Sequence, residues 1–214
     1  MTAHQWTLAD IPDLTGRRAL VTGVTGGLGE HTVLELARKG ASVVMTARSQ
    51  TKLQRAVDDV RRVLPQAELV PLVLDLADLS SVRRAVDEVR PLGALDLLVN
   101  NAGVMATPHR RTADGFELQL GTNHLGHFAL TGLLWPQLVA AGSARVVTVS
   151  SQMHRLARTV PLGDPRQDTG RYRKWQAYAE SKLANLLFAF ELERRATAAG
   201  VAVHSMAAHP GYAR

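Results

Sequence analysis

The sequence predicts a three-layer α/β domain, a doubly wound parallel sheet with helices on both faces. Three observations lead there. Short apolar runs rich in β-branched residues alternate with longer segments of helical spacing. The connections between the runs are of helix length, which makes neighbouring strands parallel and their crossovers right-handed. A glycine-rich turn follows the first strand directly. The chain has 214 residues, 46% of them hydrophobic and 21% charged. That is ordinary globular usage and enough for one domain spanning 1–214, too little for two.

In order, strands are expected at Ala19–Val21, Ser42–Thr46, Glu68–Leu74, Leu95–Val99, Arg145–Val149 and Val201–Ala207. Between them, Leu28–Lys39 sets Leu28, Thr32 and Leu36 on one helical face, and Thr51–Leu64 and Leu79–Arg90 are amphipathic covers for the sheet. Two further helices, Asp114–Ala140 and Gln176–Ala199, are long and apolar on more than one face. In the second, Leu183, Leu186, Leu187 and Phe190 form one stripe and Ala177, Ser181, Ala184 and Phe188 another. Helices of this kind are either deeply buried or paired with a partner, so a homo-oligomer through these two helices is one expectation.

Composition excludes several function classes. Without cysteine there are no disulfides, thiolate metal sites or cysteine nucleophiles. The N-terminus has no basic-then-apolar signal and no run of 18 apolar residues follows, so a cytoplasmic protein without membrane insertion is expected. The net charge of +6 is uneven: residues 1–143 hold 14 basic and 14 acidic side chains, whereas 144–195 hold 10 and 5. Part of that excess is the run Arg171-Tyr172-Arg173-Lys174-Trp175, read first as a solvated loop segment, next as a guide for an anionic substrate or acidic partner, and not as a nucleic-acid surface. His124 and His127 have no convincing third ligand, and no metal site is expected.

The turn after the first strand reads Thr22-Gly23-Val24-Thr25-Gly26-Gly27-Leu28-Gly29. A strand–glycine turn–helix unit presents unpaired N–H groups and a helix dipole to a phosphate. Gly23 allows the tight turn, Gly27 a close pyrophosphate, and Gly29 close packing of helix on strand. After the second strand stands Thr46-Ala47-Arg48-Ser49. Ala47 supplies no carboxylate to repel a 2′-phosphate and Arg48 offers a guanidinium to pair with one, so NADP(H) is expected over NAD(H).

Tyr178 and Lys182 lie four residues apart on one helix face. A free phenol, with a pKa of about 10, is about three units short of a base at pH 7, and a nearby ammonium favours the phenolate. Ser150-Ser151 ends the fifth predicted strand and Asn100-Asn101-Ala102-Gly103 the fourth, at the sheet edge where open α/β proteins bind ligands. Asn123 lies in the long helix between them.

These motifs, in this order, resemble the short-chain dehydrogenase/reductase family, whose single Rossmann-type domain carries both cofactor and active site. The resemblance covers nearly the whole chain: TGVTGGLG at 22–29, Asp75-Leu76, NNAG at 100–103, Asn123, Ser150-Ser151, YAESK at 178–182 and Pro210-Gly211. GTNHLGHF and SKLANLLF are similar to the retinol-dehydrogenase-like and protochlorophyllide-reductase-like branch.

The resemblance implies an enzyme transferring a hydride between NADP(H) and a carbonyl or alcohol. Tyr178 is implied as general acid/base, with Lys182 lowering its pKa and holding the nicotinamide ribose. Ser151, the second of its pair, is implied to bond the reacting oxygen, and Asn123 to fix a water linking Lys182 to solvent. Asp75, with Leu76, is implied at the adenine, and Asn101 and Gly103, with Ala102 between them, on the adenosine ribose side. Gly23, Thr25, Gly27, Leu28, Gly29, Arg48, Tyr178, Lys182, Pro210 and Gly211 complete the implied cofactor contacts. The alternative is a non-enzymatic NADP(H)-binding sensor or interaction module.

The insertion at 152–177 is expected over the mouth of the site, where Met105 and Met153 are read as pocket lining or core. The sequence closes at Arg214, just past the sixth strand, where family members usually continue. The C-terminal part of the domain is therefore expected to be missing from it.

Overall fold

The computed structural model describes residues 6–158, 166 and 170–211. Six parallel strands form one sheet in the order β3-β2-β1-β4-β5-β6: β1 (Arg18–Thr22), β2 (Ser42–Ala47), β3 (Leu69–Val73), β4 (Leu97–Asn100), β5 (Ala144–Val149) and β6 (Val203–Ala208). Each strand falls on its predicted apolar run. The pairing is in register, with Thr22 opposite Thr46 and Val99 opposite Val147. Pro71, which lacks an N–H, is accommodated because β3 is an edge strand.

Strand period two divides the core. Leu20, Val44, Leu98 and Val146 face one layer, made by α3 (Leu79–Val89), α5 (Gly126–Leu133) and α6 (Trp135–Ala140), with Leu192 of α7 (Lys174–Ala198) against it. Val21, Val43, Met45 and Val99 face the other, made by α1 (Gly27–Arg38) and α2 (Gln50–Val63). In α1 the buried face is Gly29, Val33 and Leu36, one residue round from the expected stripe, and Leu28 is 38% exposed. The shift turns Leu28 toward the carboxyl edge of the sheet.

The single helix expected over Asp114–Ala140 is interrupted. Helical structure begins with α4 (Leu118–Leu120), widens into a π turn over Gly121–Leu125, and breaks at Leu134 between α5 and α6, where Pro136 starts the next segment. Close packing accounts for the glycines: a Cβ on Gly121 would lie 2.3 Å from Thr112 Cγ2, and one on Gly126 2.4 Å from the Leu76 carbonyl oxygen. α7 is continuous, but its two stripes are unequal. Ser181 and Ala184 of the small-residue stripe are buried, whereas Leu187 and Phe190 are 47% and 63% exposed.

Candidate active site

Every predicted site segment follows a strand at the carboxyl edge of the sheet, except Asn123, Tyr178 and Lys182, which two helices bring to the same place. The glycine turn is built as its residue types require. Gly23 has φ +71°, and a Cβ there would lie 2.8 Å from Cα and Cβ of Ala102. Gly29 packs so closely that its Cβ would lie 2.3 Å from the Gly23 carbonyl oxygen and 2.7 Å from Asn101 Nδ2. Gly26 and Gly27, with φ +153° and +59°, face open space instead. No side chain caps α1, so its first N–H groups point from that turn unsatisfied, beside the exposed Thr25. An open glycine rim over an uncapped helix N-terminus fits a pyrophosphate.

Two neighbouring strand ends frame this rim. Gly23 and Val24 N–H both donate to the Thr46 carbonyl, at 3.0 and 3.2 Å, so Arg48 stands exposed two residues beyond the bonded position. Arg48 has no acidic partner among the described residues. Asp75 and Leu76 follow β3. Asp75 Oδ1 accepts the Ala77 N–H at 2.9 Å, and Leu76 is buried. The Asn101 side-chain amide donates to the Thr22 and Gly23 carbonyls at 2.8 and 3.2 Å, locking the glycine turn to the end of β4.

Asn101, Gly103, Ser150, Ser151, Tyr178, Lys182, Pro210 and Gly211 all line one cleft of about 710 Å³, with Leu28, Val104, Met105, Met153, Leu156 and Trp175 as its apolar wall. Met105 and Met153 thus line the cleft and are not core. Both described ends of the 152–177 insertion reach this cleft, and its residues 159–165 and 167–169 lie outside the described residues.

The two serines separate by geometry. Ser150 is buried and donates its hydroxyl proton to the Lys182 carbonyl at 2.8 Å, fastening β5 to α7. Ser151 Oγ accepts the Met153 N–H at 3.2 Å and keeps its own proton for the cleft. Lys182 is 4% exposed, its Nζ donating to the Val149 carbonyl at 3.0 Å and standing 5.7 Å from the centre of the Tyr178 ring. Burial lowers its pKa to about 8, which still leaves it mostly protonated at neutrality. The Tyr178 hydroxyl has no hydrogen-bond partner among the described residues.

Asn123 sits fully buried in the π turn. Its amide clamps Val104, donating to the carbonyl at 2.9 Å and accepting the N–H at 2.8 Å, and also donates to Ser181 Oγ at 2.9 Å. Ser181 in turn donates to the Tyr178 carbonyl at 2.8 Å. The Asn123 backbone carbonyl takes the proton of His127 Nδ1 at 3.0 Å. Burial holds His127 neutral with a pKa of about 4, so Nε2 accepts the Thr22 hydroxyl at 2.8 Å. Thr22 Oγ1 then accepts the Asn101 and Ala102 N–H groups, both at 2.9 Å. One chain of bonds therefore joins the glycine-turn strand, the NNAG loop and Asn123. From sequence, His127 was weighed only as a metal ligand and Ser181 only as part of a helix stripe, and neither they nor Thr22 were given these parts; the available signal was that all three fall inside motifs already marked.

Comparisons with known proteins agree with this architecture. A family model described as short chain dehydrogenase matches residues 17–161. Retinol dehydrogenase 13 of Homo sapiens is 41% identical over 202 residues, covering 94% of this chain and 60% of that protein. Polyprenol dehydrogenase of Mus musculus is 45% identical over 208 residues, covering 94% and 61%. The crystal structure of an uncharacterized protein from Mycobacterium Paratuberculosis superposes with a TM-score of 0.88 at 49% identity, covering 98% of this chain and 73% of that one. The chain spans about 60% of the length of these two curated relatives.

Proposed function

The chain belongs to the short-chain dehydrogenase family, and from that premise we propose that it is an oxidoreductase interconverting a carbonyl and an alcohol with NADP(H). The observation that supports the reading is the convergence of Ser151, Tyr178 and Lys182 on the cleft that Gly103 and Leu28 also line. When bound, the nicotinamide supplies or takes up the hydride. In reduction, the substrate carbon gains that hydride while Tyr178 gives its hydroxyl proton to the oxygen; oxidation runs the same transfers backward. Lys182, as an ammonium, favours the tyrosinate left behind. Ser151 donates to the oxygen as negative charge grows there. Asn123 keeps Val104 and the Tyr178 turn in place.

The apolar wall of Val104, Met105, Met153, Leu156 and Trp175 suits a largely hydrophobic substrate. Two relatives are named for retinol and polyprenol, both apolar alcohols, and a substrate of that chemistry is part of the proposal. A cytoplasmic setting is part of it too; no helix among the described residues is long and apolar enough to cross a membrane.

The 2′-phosphate preference rests on Arg48 at the glycine rim and on Ala47 beside it. Titration with NADPH and NADH tests it. Wild type should bind NADPH more tightly, and Arg48→Ala should weaken NADPH by about tenfold, one charge-assisted contact, with NADH unchanged. Equal loss for both cofactors, or tighter NADH binding by wild type, rejects the assignment.

A further inference from the structure

We propose that Gln119 sets the shape of the substrate cleft and is a specificity-determining positioning residue, an inference that rests on the oxidoreductase reading above. Gln119 is fully buried in α4. Its Oε1 accepts the Ala106 N–H at 2.8 Å, and its Nε2 donates to the Tyr172 hydroxyl at 2.7 Å and to the Lys174 carbonyl at 2.8 Å. The amide cannot be turned over: the flipped form would set its NH2 against the Ala106 N–H and its oxygen against the Lys174 carbonyl. Met105, which precedes Ala106, and Trp175, which follows Lys174, both line the cleft. One amide therefore ties together two segments of the cleft wall that lie far apart in sequence.

Both segments need that tie. Ala106 has φ 51°, the one left-handed non-glycine backbone among the described residues. An alanine keeps that conformation only where its surroundings impose it, and the bond from Gln119 is a contact that does so. Tyr172, at the other end, belongs to the insertion. Its hydroxyl accepts the Gln119 proton and lies 3.1 Å from both the Thr107 carbonyl and Glu117 Oε1, while its ring stacks on His109 at 4.7 Å. Burial raises the Tyr172 pKa, keeping the hydroxyl a donor.

Asn123 gives the contrast that isolates the role. It stands four residues on from Gln119 and clamps Val104 on the side nearer Lys182, so the 104–106 loop is held by two buried amides. Loss of Asn123 disturbs the chemistry. Loss of Gln119 frees only the side that meets the substrate.

The experiment compares wild type, Gln119→Leu and Tyr172→Phe on the full chain, with decanal and propanal as probe aldehydes. Gln119→Leu should raise KM for decanal about tenfold and leave KM for propanal, kcat and the NADPH Kd within about twofold. Tyr172→Phe, which removes the hydroxyl's contacts with Gln119, Thr107 and Glu117 but keeps the Gln119 bonds to Ala106 and Lys174, tests the proposal even if Gln119→Leu fails to fold and should shift the same ratio in the same direction by about threefold. Hydrogen exchange of the Ala106 amide and its neighbours Met105 and Thr107 should accelerate about tenfold in Gln119→Leu, while Val104, held by Asn123, and residues 22–29 keep their protection. Unchanged exchange overturns the clamp, and a uniform fall in kcat for both aldehydes overturns the specificity role. If wild type turns over neither aldehyde, the oxidoreductase reading fails and the specificity role falls with it, whereas exchange still decides the clamp.

Discussion

Ser150 and Ser151 are adjacent in sequence and differently bonded. Both line the cleft, but the Ser150 proton is spent on the Lys182 carbonyl, while the Ser151 hydroxyl accepts the Met153 N–H and keeps its own proton. Ser151→Ala should therefore lower kcat by about 10²-fold, the usual loss for one donor to a developing oxyanion, without altering stability. Ser150→Ala should leave kcat near wild type and cost about 1 kcal/mol of unfolding free energy. Steady-state kinetics paired with denaturant unfolding separates the two, and the reverse pattern would move the catalytic role to Ser150. From sequence, the four-residue spacing gave only a shared helix face for Tyr178 and Lys182 and a reason for an amine beside the phenol; their roles, and that of Ser151, came from the resemblance of the ordered motifs to a known family. Gln119, His127 and Ser181 stayed illegible. A buried amide, imidazole or hydroxyl on a helix means nothing chemically until its partners are known, and the distant ones, Ala106, Asn123 and Thr22, lie 13, 58 and 105 residues away.

At the scale of elements, strand positions were legible because apolar runs of β-branched residues in a parallel sheet are buried on both faces. The helix around Asn123 was not, since a π turn has no composition of its own; only Gly121 and Gly126, pressed against Thr112 and Leu76, hint at it in retrospect. That turn matters because it sets the Asn123 amide toward Val104 and Ser181. The outer side of the same helices carries an exposed apolar strip. Phe128 and Phe188 meet edge to face at 5.6 Å, with Phe128, Leu187 and Phe190 between 47% and 63% exposed. We propose that a second copy of the chain covers it, as the apolar faces read from the sequence had suggested. Sedimentation of wild type should give a dimer or larger, and Leu187→Asp with Phe190→Asp should give monomer. A monomeric wild type contradicts the proposal.

Across the whole molecule, the first strand of the sheet is tied to the site helix through His127, whose ring spans from Thr22 on β1 to the Asn123 carbonyl. Its burial carries a pH signature. The folded pKa of about 4 lies below the ordinary 6.5, so as pH falls through that window the unfolded chain takes up a proton that the folded chain refuses. Stability is present in full above about pH 6.5 and is lost on acidification, by about 2 kcal/mol between pH 7 and pH 5. In His127→Gln the acid-induced loss of unfolding free energy should shrink by about that amount; an unchanged acid limb would mean that His127 is not held neutral.

Hydride transfer with Tyr178 as proton donor is tested most directly by nicotinamide absorbance. NADPH oxidation by an apolar aldehyde should be followed for wild type and Tyr178→Phe, with the NADPH Kd of each measured alongside. Turnover by wild type, a fall of about 10²- to 10⁴-fold in the variant and an unchanged Kd are expected. Wild-type turnover that survives Tyr178→Phe would contradict the assignment of the proton to Tyr178.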